Sequence, residues 1–393
     1  MPSLPWFRPF CRPRGRWTGL CLFALLILSL VMDPDLRAAT AEESFVLPTP
    51  RLEWPVRGPF LIGAQFHDFQ NYSNVPYLHG GIDLRAPVGT VIVTPVAGPV
   101  TVSSYQIDAG RSPLRFQYRR WPFDPRSGSD TRYVEVAVTD AWGHTWMFRH
   151  LDAASIPSEV LRRSRTGEAV ATGTPLGTIV AWHQPVLPEP ATYHHCHLEV
   201  VASDGTYLNP ALFLAPLFDN LPPQVHGAWL VRNEEERAFP PGSEGRPVVD
   251  GDIDLVAAIT DEMPGSRYQH SPFRVRTRLL AIPPASEPRE LLPWLEVVRF
   301  DRLPVIGDRT QLATVIYKER VRAGEQVIAS NGEMGPRSFL LTLTNGDRQR
   351  GYAARYALPT RALRDGRYRY EIEAADLAGN VASAALEFEV RNR

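Results

Sequence analysis

The chain has 393 residues, with 42 Lys and Arg residues against 43 Asp and Glu residues, so its formal net charge is −1. That balance argues against a general nucleic-acid binder, which carries a clear basic excess. Hydrophobic residues make up 44% of the chain and charged residues 22%, as in globular rather than disordered proteins. The length allows two or three domains. The 37 prolines and 28 glycines predict short strands and turns rather than long helices.

The first 41 residues have the composition of an export signal. A basic region without acidic residues precedes an apolar run from Gly19 to Met32, which is shorter than the ~20 residues of a comfortable membrane span. Ala39-Thr40-Ala41 then fits the small-x-small pattern of signal cleavage. We therefore predict a signal peptide over 1–41 and a mature chain in the periplasm or outside the cell, with no membrane span. An uncleaved anchor is the alternative.

The rest of the chain divides into two predicted domains, 42–220 and 221–393. The first alternates short apolar runs with Gly and Pro breaks, which predicts an all-β domain of antiparallel strands with one short helix at Pro157–Arg163. The second shows strict alternation, as in Tyr368–Glu373, which predicts half-buried antiparallel strands and a β-sandwich. Its segment Asp365–Asn380 resembles the last hairpin of immunoglobulin-like and fibronectin type III-like modules.

Three short motifs in the first domain carry side chains suited to chemistry. In His79-Gly80-Gly81-Ile82-Asp83 the two glycines disfavour a helix, where each costs about 1 kcal/mol, and favour a tight loop entering a strand. In His195-Cys196-His197 both imidazoles share one face of the predicted strand, because alternate residues point to the same side. His150 follows a strand-like run that ends at Met147.

Two imidazoles and one carboxylate, with a water, form a common open catalytic zinc site. Zinc in such a site lowers the pKa of a water from 15.7 toward ~7. Two further imidazoles can transfer protons and hydrogen-bond an oxyanion. Eight of the ten histidines lie in the first domain, and this clustering favours a site, although a strand with surface histidines remains the alternative for His-x-His alone.

The order His-x-x-x-Asp, His-Leu and His-x-His-x-Glu resembles that of the lysostaphin/LytM-type zinc metallopeptidases, which cut peptide bonds in bacterial peptidoglycan. The segments His79–Val91, Pro95–Val100 and Gly173–Gly177 also fit that family, as does Asn209-Pro210. The resemblance spans about residues 54–214.

This resemblance implies that His79, Asp83 and His197 are the ligands of a Zn²⁺ ion. His150 and His195 would be catalytic histidines that do not bind the metal. One would activate the water and the other would stabilise the tetrahedral intermediate, and the sequence leaves open which does which.

Several other residues receive structural predictions. Glu199 shares the ligand face and either orients a ligand or is a solvated strand residue. Cys196 is expected to be a small core residue. His67 is expected at the surface, and Trp142 and Trp146 in the core.

An insertion from Tyr105 to Thr131 departs from the family's pattern. Its arginines and aromatic residues, stiffened by prolines, suggest a flap that selects a long, acidic, sugar-bearing substrate. A surface hairpin packed on the domain is the alternative.

The leading functional hypothesis is an exported zinc metalloendopeptidase that hydrolyses cross-links or stem peptides of peptidoglycan. The alternatives are a non-catalytic LytM-type regulator that binds and activates a cell-wall hydrolase, and a wall-binding scaffold. The C-terminal domain has no catalytic set that we can identify, so we expect it to serve as a spacer or to bind the cell wall or a protein partner.

Overall fold

The computed structural model describes residues 51–72, 75–108, 115–120, 134–181, 192–303, 309–331, 339–345 and 355–392. The predicted signal peptide lies outside the described residues. All of the described residues belong to one compact unit, Pro48–Arg393, which contains both predicted domains. Within the described ranges, no helix is long and apolar enough to cross a membrane.

The part of the chain before residue 220 is mostly β-structure, which confirms the all-β prediction. Its strands are β1 (Leu61–Ala64), β2 (Phe69–Tyr72), β3 (Val75–Leu78), β4 (Ile82–Arg85), β5 (Val91–Val93), β6 (Gly98–Asp108), β7 (Arg115–Arg120), β8 (Val134–Thr139), β9 (Thr145–Leu151), β10 (Ala169–Val170), β11 (Pro175–Thr178), β12 (His195–Val201) and β13 (Tyr207–Leu208). The predicted helix is present as α1 (Ser158–Thr166). It ends at Gly167, whose φ of 72° is the left-handed conformation typical of a helix C-terminus.

The part after residue 220 is also dominated by strands. They are β14 (Gln224–Arg232), β15 (Val248–Val249), β16 (Asp252–Glu262), β17 (Gln269–His270), β18 (Arg274–Ala281), β19 (Arg289–Arg299), β20 (Arg302–Leu303), β21 (Arg320–Ala323), β22 (Gln326–Ser330), β23 (Phe339–Thr342), β24 (Leu358–Pro359), β25 (Gly366–Ala375) and β26 (Val381–Val390). A helix that the sequence analysis did not predict, α2 (Arg309–Ile316), packs against β3.

Ten of the described strands form one sheet around the candidate site. Its order is β1-β4-β12-β9-β8-β6-β10, with β7 beside β6, β13 beside β12, and β20 beside β13. One face is apolar and fully buried, with Leu84 on β4, Leu198 on β12 and Phe148 on β9. The other face carries the polar residues of the predicted site. Alternate residues of a strand point to opposite faces of the sheet, so the alternation of apolar and polar residues in the sequence separates the apolar face from the polar one.

The C-terminal part contains two sheets of five strands each among the described residues. One has the order β14-β16-β17 with β23 and β24 beside β16, and the other has the order β15-β26-β25-β18-β19. Tyr370 and Phe388 stack with their ring centroids 5.8 Å apart on the buried face of the second sheet. The alternation in the sequence correctly indicated these strands.

Two single-residue predictions were wrong. Trp142 is 68% exposed, because it lies in the turn between β8 and β9 rather than in a strand, whereas Trp146 is fully buried as predicted. His67 is fully buried, with its ring stacked on Phe300 at a centroid distance of 4.5 Å. That contact joins segments far apart in sequence, so no local pattern could indicate it.

The two predicted domains share buried contacts and one sheet. Leu208 of β13 pairs with Arg302 of β20, and the Asn209 side chain donates to the Phe300 carbonyl oxygen at 2.9 Å. These contacts couple the two parts. Independent folding of the two parts on either side of residue 220 remains a prediction.

The predicted flap is described only in part. The backbone of β6 pairs with that of β7 in an antiparallel hairpin, from Ser103 opposite Arg120 to Asp108 opposite Arg115. Residues 109–114 and 121–133 lie outside the described residues, so the flap hypothesis remains a prediction.

Asp68 bonds to residues of both parts. One carboxylate oxygen accepts hydrogen bonds from the backbone and hydroxyl of Ser271, both at 2.8 Å. The other oxygen accepts from the Gln65 backbone at 2.7 Å and lies 3.2 Å from His270 Nδ1. Burial alone would raise the pKa of Asp68, but His270 and the backbone donors hold it below its ordinary value.

We predict that Asp68→Asn lowers the free energy of unfolding by about 3 kcal/mol at pH 7, because the buried donors of Ser271 and Gln65 lose a charged carboxylate acceptor. The ionised Asp68 carboxylate is the form that accepts these hydrogen bonds. Its contribution to the free energy of unfolding is therefore complete above the unfolded pKa of ~3.9 and is lost as the pH falls through the folded pKa. Urea unfolding without added metal should therefore show the two proteins converging below about pH 4. The exposed Glu287→Gln is the control. A difference that stays constant with pH would contradict this account.

Candidate metal centre

Three side chains from β4 and β12 and from the loop before β4 converge at one point. Asp83 lies directly opposite His197 in the antiparallel pair of β4 and β12. Asp83 Oδ1 is 2.8 Å from His197 Nδ1 and 3.2 Å from His79 Nε2, and the two nitrogen atoms are 3.0 Å apart. These three residues form a group whose ligand atoms can hold a metal ion.

The second nitrogen of each ligand imidazole is already engaged, and this fixes the tautomer. His79 Nδ1 lies 2.9 Å from the Gln65 carbonyl oxygen, which can only accept, so the proton is on Nδ1 and the Nε2 lone pair faces the group. His197 Nε2 lies 3.1 Å from a Glu199 carboxylate oxygen, which accepts the Nε2 proton. The lone pair of His197 Nδ1 is therefore available to a metal ion. Two imidazoles and one carboxylate whose ligand atoms converge on one point fit a divalent transition metal.

Asp83 is held by its second oxygen. The Tyr193 hydroxyl donates to Asp83 Oδ2 at 3.0 Å, which leaves Oδ1 for the metal. Burial alone would raise the pKa of Asp83. The neighbouring imidazoles of His195, His79 and His197 hold that pKa well below its ordinary value, so the carboxylate is ionised.

A chain of buried charges supports His197 from behind. Glu199, which is 1% exposed, pairs with Arg149 at 2.8 Å, and Arg149 pairs with Glu135 at 2.7 Å. Hydrogen bonds from a carboxylate to a metal-binding imidazole orient the ring and raise its basicity. Of the two interpretations of Glu199, the structure therefore supports the ligand-orienting one.

His195 lies beside the ligand group on the same face of β12. Its Nδ1 is 2.8 Å from the Tyr193 carbonyl oxygen, which fixes the proton there, and its Nε2 points toward Asp83 Oδ1 at 3.6 Å. Burial lowers the pKa of His195, with the Asp83 carboxylate acting in the opposite direction. At neutral pH this histidine therefore presents an unprotonated Nε2 to the site.

A bulge in β9 turns His150 toward the site. Leu151 pairs with Val134 and Arg149 pairs with Glu135, so His150 between them has no opposite residue on β8. Its φ is 63°, an uncommon conformation for a residue with a side chain. The His150 ring lies 4.7 Å from that of His195 and 6.1 Å from that of His197, between centroids. Burial and these two imidazoles hold the pKa of His150 well below its usual range.

Gly81 allows the His79–Asp83 loop to approach β12. A Cβ atom at this position would lie 2.2 Å from the Leu198 carbonyl oxygen and 2.8 Å from Glu199 Cγ. No side chain fits there without moving the backbone of the strand that carries His197. The second glycine of the motif is thus a packing requirement of the site.

The structure brings all five residues singled out by the sequence to one place. It adds Tyr193, Gln65 and Arg149, which the sequence analysis missed. Tyr193 could have been found, since it continues the alternation of His195 and His197 on one side of the chain. Gln65 acts through its backbone carbonyl, so its identity carries no signal.

Comparison with known proteins found similarity among solved structures. No family model matches the sequence, and no curated protein matches it. Among the matching solved structures is a crystal structure from Pseudomonas aeruginosa with the provisional name peptidase M23, at 23% identity and a TM-score of 0.25. The match covers 52% of this chain and 65% of that chain, just under two thirds of its length. At this TM-score the likeness carries no weight for function.

We predict that the purified protein binds one divalent transition metal ion per chain, and that Asp83→Ala and His197→Ala each lose it, because three ligands are needed. His195→Ala and His150→Ala should keep the metal. Elemental analysis after gel filtration measures this directly. Loss of metal from either of the last two variants, or full retention in the first two, would show that the roles are misassigned.

We also predict that Glu199→Gln retains the metal but binds it about 10- to 100-fold more weakly, because an amide orients and polarises His197 less well than a carboxylate. Competition with a chromophoric chelator gives the affinity. His226→Ala, in β14 and outside the site, should leave it unchanged. Equal metal affinities for Glu199→Gln and the unaltered protein would show that Glu199 does not support metal binding.

Proposed function

We propose that this protein is an exported zinc metalloendopeptidase that hydrolyses peptide bonds of bacterial peptidoglycan. The observation that carries the proposal is the convergence of His79, Asp83 and His197, with tautomers fixed for metal binding, beside two neutral histidines. The order of these residues in the sequence, which resembles that of the lysostaphin/LytM-type peptidases, supports the same reaction and the same substrate.

The three ligands would hold zinc, and nitrogen and oxygen donors of this kind suit that ion. Bound there, zinc would act as a Lewis acid that polarises a carbonyl group and acidifies a water molecule. The remaining steps fall to residues of this chain.

His195 is the better candidate for the general base. Its Nδ1 proton is held by the Tyr193 carbonyl oxygen, so Nε2 can accept a proton from the attacking water. A lowered pKa keeps it unprotonated at neutral pH before the reaction. The same Nε2 can then deliver that proton to the leaving amine.

His150 is the candidate for stabilising negative charge on the substrate. It is buried, its ring is 4.7 Å from that of His195, and its lowered pKa keeps it neutral. A neutral imidazole can donate one hydrogen bond to the oxygen of the scissile carbonyl as charge develops there.

The rim of the site supports a substrate with acidic groups. Arg85 lies two residues after Asp83, and its guanidinium packs over the rings of Tyr193 at 4.8 Å and Tyr268 at 5.0 Å. Stacking on aromatic rings orients a guanidinium, and guanidinium groups bind carboxylates in bidentate fashion. Stem peptides of peptidoglycan carry such carboxylates. The predicted signal peptide is the basis for proposing export.

The alternative function, a non-catalytic regulator, finds less support. A protein that only binds a hydrolase needs neither a complete ligand set nor two neutral histidines beside it. Here all five residues are present and oriented by further buried groups. The C-terminal part contributes Tyr268 to the rim, which suits a role in substrate binding.

The test is incubation of purified, zinc-loaded protein with cross-linked peptidoglycan, followed by identification of the fragments. We expect soluble peptides to be released, with loss of activity on chelation and recovery on adding zinc. His195→Ala and His150→Ala should keep zinc and lose about 100-fold or more in rate. His226→Ala is the matched control.

Two results would contradict the proposal. A zinc-loaded protein that releases no fragments, but increases the activity of a separate cell-wall hydrolase, would support the regulator instead. Cleavage of unrelated peptides at the rate found for peptidoglycan would support a peptidase of different specificity.

A further inference from the structure

A second group of ligand atoms is separate from the His/Asp site and combines residues from both sides of residue 220. It consists of Asp219, in the segment leading to β14, Asp261, near the end of β16, and Asp376, in the turn after β25. One carboxylate oxygen from each residue lies within 4.8 Å of those of the other two. The three residues come from distant parts of the sequence, so only the tertiary structure brings them together.

Asp261 is the residue that points to a ligand. It is 2% exposed, and its Oδ1 has no hydrogen-bond partner among the described residues. None of the ion pairs found in the described ranges involves any of the three aspartates. A buried carboxylate oxygen without a donor is costly, since it has lost its water and gained nothing in return.

Asp376 is held in place before any ligand arrives. Its Oδ1 accepts from the backbone of Gly379 at 2.7 Å and of Asn380 at 2.8 Å. The Asn380 side chain donates to Asp376 Oδ2 at 2.7 Å and to the Asp219 carbonyl oxygen at 3.3 Å. Asn380 therefore ties two of the three aspartates to each other.

The position of Asp261 disfavours its ionised form when no cation is bound. Burial raises the pKa of Asp261 to about 8, and the carboxylates of Asp376 and Asp219 add to that rise. Without a cation, Asp261 would therefore tend to hold a proton near neutral pH, and that proton would need an acceptor. Within the described residues no hydrogen bond joins any two of the three side chains.

We propose that Asp219, Asp261 and Asp376 bind a calcium ion. Donor sets made only of carboxylate oxygens select hard cations over zinc. Calcium accepts oxygens at ~2.3–2.6 Å in flexible geometry, so two of its ligands can lie up to about 5 Å apart. Magnesium needs near-ideal octahedral geometry, which three carboxylates on three separate segments do not readily supply.

The ion would join three segments near the junction of the two parts. Asp261 pairs with His270 in the ladder between β16 and β17, and His270 contacts Asp68 of the first part. Calcium would thus fix the segment containing Asp219 against the strand that reaches the Asp68 network. This role is structural and does not depend on the activity proposed above.

The test uses the purified, zinc-loaded protein in calcium-free buffer, titrated calorimetrically with CaCl₂. We expect one calcium ion per chain with a dissociation constant on the order of 10⁻⁴ M. In ~10 mM CaCl₂ the thermal midpoint should rise by about 4 °C, and in the same concentration of MgCl₂ by much less. Zinc content, measured on the same samples, should not change.

Asp261→Asn should weaken calcium binding at least tenfold and abolish the thermal shift, and Asp219→Asn should weaken binding as well. Asp252→Asn, an exposed aspartate on the same strand, is the matched control and should keep both responses. The proposal fails if the unaltered protein does not bind calcium, if Asp261→Asn responds like Asp252→Asn, or if magnesium acts as strongly as calcium.

Discussion

The candidate site depends on one buried carboxylate, that of Asp83. It contacts three imidazoles and a tyrosine hydroxyl, and these contacts keep it ionised although it is only 4% exposed. An isolated buried anion would be strongly unfavourable, so its partners must be held in place. The antiparallel register of β4 and β12 provides this, because it sets Asp83 directly opposite His197.

The ligands are positioned from two independent directions. His197 is oriented from the sheet, through Glu199 and the buried Arg149 that Glu199 shares with Glu135. The His79 ring is oriented by the Gln65 carbonyl oxygen at its Nδ1, and the His79 backbone N–H donates to the Asp68 carbonyl oxygen. Since Asp68 is bonded by His270 and Ser271, the C-terminal part supports the loop that carries a metal ligand. That part is thus more than a spacer in the folded chain.

The two groups of ligand atoms differ in chemistry. The His79 group combines nitrogen and oxygen donors on a rigid sheet, a set suited to zinc and to catalysis. The Asp261 group has only carboxylate oxygens on three segments, a set suited to calcium and to holding segments together. Asp68 and His270 lie between them, so both groups act on the same junction, one through the loop before β4 and the other through the strand pair that carries His270.

The sequence by itself determined the strands and the five central residues of the site. Alternation decides which side chains share a face, and the two glycines before Asp83 favour a loop. The sequence could not place Tyr193 on Asp83, bury His67 against Phe300, or reveal helix α2, because these depend on contacts between distant segments. Nor could it show that a bulge turns His150 into the site, or that Asp219, Asp261 and Asp376 meet. Local periodicity specifies faces and elements, whereas packing between elements decides which polar groups lose water together and must then satisfy one another.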